Sequence, residues 1–374
     1  MHDYISIVCY DSNKCFNKLS GKDMLCVNCF VDKYDEKAFF LHQYNPVVDA
    51  HLDLAAEIYE RYQGGEREVI KNHYLENFKK AGITFIVSSV FIPTKQLPAR
   101  GFELTLMQIS ALLKDIETIK EEVILVQSKM DMQMVISEHK IGIILYLEGL
   151  DIITNDCSIL RALYAMGVRG ASLTWSRRNY LGEGCCRADK LEDIRGGLSK
   201  LGIQTLQMLE QLNMFVDVSH LNDDGFEDVL MWTKKPFIAT HSNARNVHMS
   251  YRNLTDNQIQ ALAKRGGVIG LNAYKSIVGV HSINNPIHKM CDHIQYIIRL
   301  VGENHIGFGL DLCDSYERAL PRREFEIEPM DCLKNHAELI LISAQLLREG
   351  CSEDTVKKVI GGNFVEYFMK FVSI

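Results

Sequence analysis

The chain has 374 residues, 47% of them hydrophobic and 24% charged, an ordinary globular balance with room for one large α/β unit or two smaller domains. Its net charge of −7, spread without any basic block, excludes the electrostatic footprint of a nucleic-acid binder. No apolar run approaches the ~18 residues that a bilayer span needs, and the opening MHDYISIVCYDSNKCFNK lacks a basic stretch leading into an apolar core, so a cytoplasmic protein without membrane contact is expected.

In chain order, residues 1–45 hold no usable motif and read as an N-terminal appendage to a main unit spanning 46–374. Cys26 and Cys29 form a C-x-x-C, yet no second pair follows at finger-like spacing, so a zinc knuckle is the lesser reading. Eleven cysteines make an odd count, which points to reduced thiols in preference to a disulfide framework. Cys185 and Cys186 stand side by side in a glycine-containing loop with nothing nearby to define a role.

From residue 46 onward, eight apolar, β-branched runs recur: PVVDAHLDL, ITFIVSSVFIP, IGIILYLEG, GASLTWS, NMFVDVSH, PFIATHSN, GGVIGLNAY and HIGFGLDL. Between them lie segments such as EREVIKNHYLENFKKAG, CSILRALYAMG, LSKLGIQTLQMLEQLN, LTDNQIQALAKRG and MCDHIQYIIRLVG. These have apolar residues at three and four spacing, and several end in Gly, as helices do. Strands apolar on both faces that alternate with helices imply a parallel sheet, and eight units in one chain predict a closed (β/α)8 TIM barrel.

Such barrels build their active site at the carboxyl ends of the strands, so the polar residue ending each run carries the chemistry. The first run ends in His51 and Asp53, the third in Glu148, the fourth in Trp175 and the fifth in His220. The sixth ends in His241, the seventh in Asn272 and the eighth in Asp311. Imidazoles and carboxylates thus gather at the run ends, and the run interiors are nearly free of them. His51 and Asp53, two apart in an extended strand, face the same way and can offer a nitrogen and an oxygen to one ion.

The set suits Zn²⁺, with Mn²⁺ or Fe²⁺ as substitutes. Two ions are expected, His51 and Asp53 on one, His220 and His241 on the other, with Glu148 spanning both. Asp311 is then free to carry a proton from an activated water to a leaving amine, which makes amide hydrolysis feasible at neutral pH. Taken singly, each residue has an ordinary structural alternative: Asp311 can cap the following segment, Asp53 can satisfy a loop N–H, and Glu148, followed by Gly149, can sit in a solvated turn.

DAHLDL, LEGLD, GVRGASLTW, DVSHLNDDGFEDVL, PFIATHSNARNVHMSYRNLTDNQIQALAKRGGVIGLN, HIGFGLDL and VKKVIGGNF together resemble the membrane (renal) dipeptidases, binuclear zinc peptidases on an amidohydrolase-like barrel, and LTWSRRN looks like a bacterial-type branch. The resemblance runs from about residue 46 to the end. It implies that His51 and Asp53 bind one zinc ion, that Glu148 bridges, that His220 and His241 bind the second, and that Asp311 is the catalytic acid and base. It also implies that Arg252 receives the terminal carboxylate of a dipeptide, a role its bidentate guanidinium suits, and that the chain forms a homodimer.

Two positions depart from the family pattern. Trp175 stands where the mammalian members carry a His that contacts substrate, and indole can donate one hydrogen bond but cannot carry a proton. Cys313, two residues beyond Asp311, stands where an acid is frequent. The expected activity is hydrolysis of dipeptides with a free C-terminus. The alternatives are a related amidohydrolase acting on a lactam or N-acyl amino acid, and a metal-retaining homologue without turnover.

Overall fold

The computed structural model describes residues 32–185, 196–280, 285–320 and 328–371. Cys26, Cys29 and Cys186 lie outside the described residues. Eight strands form one sheet: β1 (Val47–Leu52), β2 (Ile83–Phe91), β3 (Val123–Leu125), β4 (Ile141–Glu148), β5 (Val168–Ser172), β6 (Phe215–Asp217), β7 (Ile269–Leu271) and β8 (Ile306–Phe308). All neighbours are parallel, in the order β6-β5-β4-β2-β1-β8-β7, with β3 attached to β4. The alternating strands and helices account for this, because parallel neighbours need a crossover and the helices supply it.

The sheet corrects the expected closed eight-stranded TIM barrel. It is a curled, open sheet whose path runs seven strands from β6 to β7, and its eighth strand branches off the path. β4 is long enough to pair with β3 through Ile141–Ile143 and with β5 through Leu145–Glu148. The predicted strand PFIATHSN is no strand of the sheet and makes only single-residue bridges, Ile238 to Asp217 and Ala239 to Ile269. Pro236 lacks an N–H, and the segment spends later backbone donors on side chains. Thr240 N–H goes to Asp217 Oδ1 at 2.8 Å and His241 N–H to Ser219 Oγ at 3.1 Å. A ladder cannot form from donors already engaged.

Alternation along β4 sorts its side chains. Ile141, Ile143, Leu145 and Leu147 join the large outer core beneath the helices, whereas Ile144 and Tyr146 face an inner cluster with Val48, Phe85, Phe215 and Ile238. Glu148 follows on that inner side in the same alternation. The C-terminal helix Asn363–Phe371 fills the inner cluster with Phe364, Tyr367, Phe368 and Phe371.

Close backbone approach fixes the segment between β6 and β7. A Cβ on Gly270 or Gly309 would overlap the carbonyl oxygen of Thr240, so glycine at both places lets this strandless segment press against β7 and the end of β8. Within the expected appendage, Lys33–Tyr44 forms a helix capped by Asp32 in a capping box with Asp35. It docks on the helix Leu339–Arg348 through Arg348 to Asp32 at 2.9 Å and His42 to Ser343 at 2.7 Å. Among the described residues, no helix is long and apolar enough to cross a membrane.

Candidate metal centre

Four of the residues singled out in the sequence meet around one carboxylate oxygen. Glu148 Oε1, at the end of β4, lies 2.8 Å from His220 Nε2, 3.3 Å from His241 Nε2 and 3.5 Å from His51 Nε2. The two Nε2 atoms of His220 and His241 are 2.9 Å apart. His51, at the end of β1, and His241 have no exposed surface, and Glu148 and His220 are buried. Among the described residues, His51, Glu148 and His241 form the one group of three whose donor atoms all lie within 4.8 Å of one another. A second, separate group for the second expected ion is not found among them.

The remaining candidates surround this group. Asp53 precedes the helix Leu54–Gln63; its Oδ1 is 3.9 Å from His51 Nε2 and accepts the Ser89 hydroxyl. Asp311 follows β8 with a left-handed φ of 55°, uncommon for a residue with a side chain, and its Oδ1 lies 3.9 Å from His51 Nε2. Asn272 donates to Asp311 Oδ2 at 3.0 Å and Cys313 Sγ to Oδ1 at 3.5 Å, so the residues ending the seventh run and following the eighth both hold this carboxyl. Arg252 donates to the backbone carbonyls of Ser219 and His241, the second at 3.2 Å, and keeps further N–H groups in reserve. Trp175 stacks on His220 with ring centroids 5.7 Å apart.

Electrostatics sharpen the picture. Burial pushes the His51 imidazole down to about 3, with the Arg252 charge adding to the effect. Burial likewise holds His220 and His241 well below the ordinary range. All three are therefore neutral at pH 7 and have a nitrogen lone pair to give. Burial drives Glu148 well above the usual carboxylate range, and the Asp53 and Asp311 charges push it further. Asp53 and Asp311 are also raised, by burial first.

The donor set fits a dication. His51 Nε2 is buried without a hydrogen-bond partner, which is costly for a polar nitrogen and natural for a ligand. Three crowded carboxyls repel one another in a dry site, where the Arg252 charge offsets only part of the repulsion, and zinc would supply more.

Three hydroxyl residues in the site were not singled out in the sequence. Ser89 interrupts an apolar run and holds Asp53. Ser176 Oγ lies 2.8 Å from His220 Nδ1, and Thr240 Oγ1 lies 2.7 Å from His241 Nδ1. For Thr240 the available signal was its place beside the run-ending His241, whereas Ser89, inside the second run, and Ser176, after Trp175, adjoin no ionisable run end.

A family model described as Membrane dipeptidase (Peptidase family M19) matches residues 35–371. A protein from the pqqA 5′ region of Klebsiella pneumoniae is 32% identical over 49% of this chain and 69% of its own length. Dipeptidase verJ of Clonostachys rogersoniana is 27% identical over 69% of this chain and 63% of its own. In five curated relatives the aligned stretch spans 41 to 69% of the relative's length. A metallopeptidase from Rhodobacter sphaeroides, solved with a phosphinate mimic of the dipeptide L-Ala-D-Ala, superposes with a TM-score of 0.76 at 22% identity, covering 88% of this chain and 99% of that one. The match across nearly the whole chain places it in the membrane dipeptidase family of zinc-dependent metallopeptidases.

Proposed function

We propose, starting from membership of the membrane dipeptidase family, that this chain is a binuclear zinc dipeptidase that hydrolyses the peptide bond of dipeptides with a free C-terminal carboxylate. The observation that carries the reading is the convergence of three neutral imidazoles on the Glu148 carboxylate, with the His51 nitrogen left unpartnered. His51 and Asp53 would hold one ion, His220 and His241 the other, and Glu148 both. Zinc bound there supplies Lewis acidity toward a peptide carbonyl and makes water a nucleophile near neutral pH. The dipeptide mimic held by the Rhodobacter relative supports the substrate class.

The chain's own residues supply the rest. Asp311, gripped by Asn272 and Cys313, takes the proton from the attacking water and delivers it to the departing amine. Its raised affinity for a proton suits that exchange. Arg252, anchored on two backbone carbonyls, turns its remaining N–H groups to the substrate carboxylate. Trp175 walls the site beside His220. The described cysteines Cys157, Cys185, Cys291, Cys313, Cys332 and Cys351 are free thiols, which supports a reducing, cytoplasmic setting.

The test pairs metal content per chain with hydrolysis of free, N-acylated and C-amidated dipeptides, before and after chelation. Hydrolysis of the free set alone, lost on chelation and in Asp311→Asn with zinc retained, is the expected result. Preference for N-acyl or lactam substrates would instead select a related amidohydrolase. Full metallation without turnover would select a metal-retaining homologue.

A further inference from the structure

Beneath the donor cluster lies a buried carboxylate that the proposed chemistry does not use. Asp217, at the end of β6, has no exposed surface and receives five hydrogen bonds. Its Oδ1 accepts from the Ser219 backbone at 3.0 Å, the Ser219 hydroxyl at 2.6 Å and the Thr240 backbone at 2.8 Å. Its Oδ2 accepts from the Tyr146 phenol and from the Thr240 hydroxyl, the latter at 2.7 Å.

Counting protons gives this arrangement a consequence. A hydroxyl has one hydrogen to donate, and those of Ser219 and Thr240 are both directed at Asp217. Thr240 Oγ1 also lies 2.7 Å from His241 Nδ1 and can only accept there, so the ring must carry its hydrogen on Nδ1. The lone pair is then left on Nε2, the atom that faces Glu148 and His220. Other contacts keep the relay rigid. His241 N–H is bound to Ser219 Oγ at 3.1 Å, and the Thr240 carbonyl is wedged against Gly270 and Gly309.

We propose that Asp217, acting through the Thr240 hydroxyl, is a positioning residue that locks His241 in the Nδ1–H tautomer and so keeps its Nε2 ready to ligate. The proposal rests on the metal-centre reading above for its purpose, although the lock itself is a property of the metal-free protein. Partners that orient a ligating imidazole are typically worth about 10- to 100-fold in metal affinity. Asp217→Asn places an N–H donor where an acceptor stood, which turns the Thr240 hydrogen toward His241 Nδ1 and drives the ring proton to Nε2.

The test uses the full chain labelled with 15N-histidine, with His241 assigned by comparison with His241→Gln. Long-range 1H–15N spectra of chelated protein read the tautomer, and competition with a chelating dye reads zinc affinity. Wild type should show His241 as Nδ1–H. Asp217→Asn and Thr240→Val should lose that signature and bind zinc about 10- to 100-fold more weakly, and Thr240→Ser should restore both.

If Asp217→Asn does not fold, the near-isosteric Thr240→Val and its serine rescue decide the matter. An Nε2–H tautomer in wild type overturns the lock. So does an unchanged tautomer in Thr240→Val, whatever its zinc affinity, while a lost tautomer with zinc affinity within about threefold of wild type overturns the claim that the lock serves ligation. A wild-type chain that binds no zinc, yet shows His241 locked and Thr240→Val unlocked, would retire the peptidase reading and leave the lock standing.

Discussion

Asp49 and His51 sit two residues apart in β1, both with no exposed surface, yet they belong to different kinds of buried polar group. Asp49 is fully engaged: Oδ1 accepts the Leu310 and His51 backbone N–H groups at 2.8 and 3.2 Å, and Oδ2 accepts from His336 Nε2 at 2.8 Å. His51 Nε2 has no hydrogen-bond partner and lies within 4 Å of Asp53, Glu148 and Asp311. Burial and place on the strand are alike in the two. What separates scaffold from site is whether the polar atoms are satisfied within the protein.

The widest separation should come from Glu148→Gln. An amide cannot replace a carboxylate among three lone-pair donors, and even an orienting partner is worth about 10- to 100-fold, so hydrolysis should fall by at least about a hundredfold. Zinc per chain should fall with it. The metal-free variant should unfold at a temperature no lower than wild type, because the lost group is a buried carboxyl crowded by Asp53 and Asp311. A marked drop in the metal-free melting temperature would move Glu148 to the scaffold side.

His336→Ala is the converse. It strips a buried carboxylate of one partner and should cost about 4 kcal/mol in urea unfolding. Zinc affinity of the folded fraction should stay within about threefold, since His336 has no contact with the donor cluster and the effect falls short of the ~10-fold of an orienting partner. An equal loss of metal would show that the two layers act as one.

How much of this was legible depended on what each residue asks of its neighbours. Apolar runs ending in His51, Glu148, His220 and Asp311 stood out because strand ends are where a backbone period and a chemical change coincide. Asp49 and Asp217 contradict the expectation that run interiors are nearly free of ionisable groups, and nothing in VVDAH or FVDVS tells that five donors await Asp217 from Tyr146, Ser219 and Thr240. PFIATHSN has a strand's composition, and its failure to form a ladder comes from Ser219 and Asp217, which lie about twenty positions earlier in the chain. The strand VIL of β3 is too short for periodicity to announce, and it exists because β4 has an edge to spare.

Acid should distinguish the satisfied imidazoles next. His42 lies buried between the Ala81 carbonyl and the Ser343 hydroxyl, and His293 between the Val278 carbonyl and the Ala244 N–H, whose hydrogen requires that His293 Nδ1 stay unprotonated. Burial lowers both to about 4 from an ordinary 6.5. A lowered histidine pKa means that the unfolded chain binds the extra proton more readily. The stability is therefore complete above about pH 6.5 and is lost as pH falls toward 4, by about 2 kcal/mol per residue at pH 5. Urea midpoints measured between pH 7 and 5 should fall accordingly, and His42→Gln should remove its share of the slope. A flat profile would mean that these rings are not held neutral.

Trp175 makes the finest cut, because it touches the site yet is held as the scaffold is held. Its ring stacks on His220, lies 5.3 Å from Phe91 and is covered by the Arg177 guanidinium at 5.2 Å. Arg177 is in turn fixed by Asp151 at 2.8 Å. These contacts are aromatic packing and cation–π, together worth about 1 kcal/mol beyond burial, or roughly fivefold in a rate or binding constant. Trp175→Phe keeps most of the stack and loses only the indole N–H, so kcat/KM for a dipeptide should change by less than about threefold, with zinc unchanged. Trp175→Ala should approach the full fivefold. Were Trp175→Phe to lose a hundredfold in kcat with its zinc intact, the indole N–H would be a donor to the reacting substrate, and Trp175 would belong with Glu148 and not with the packing that surrounds it.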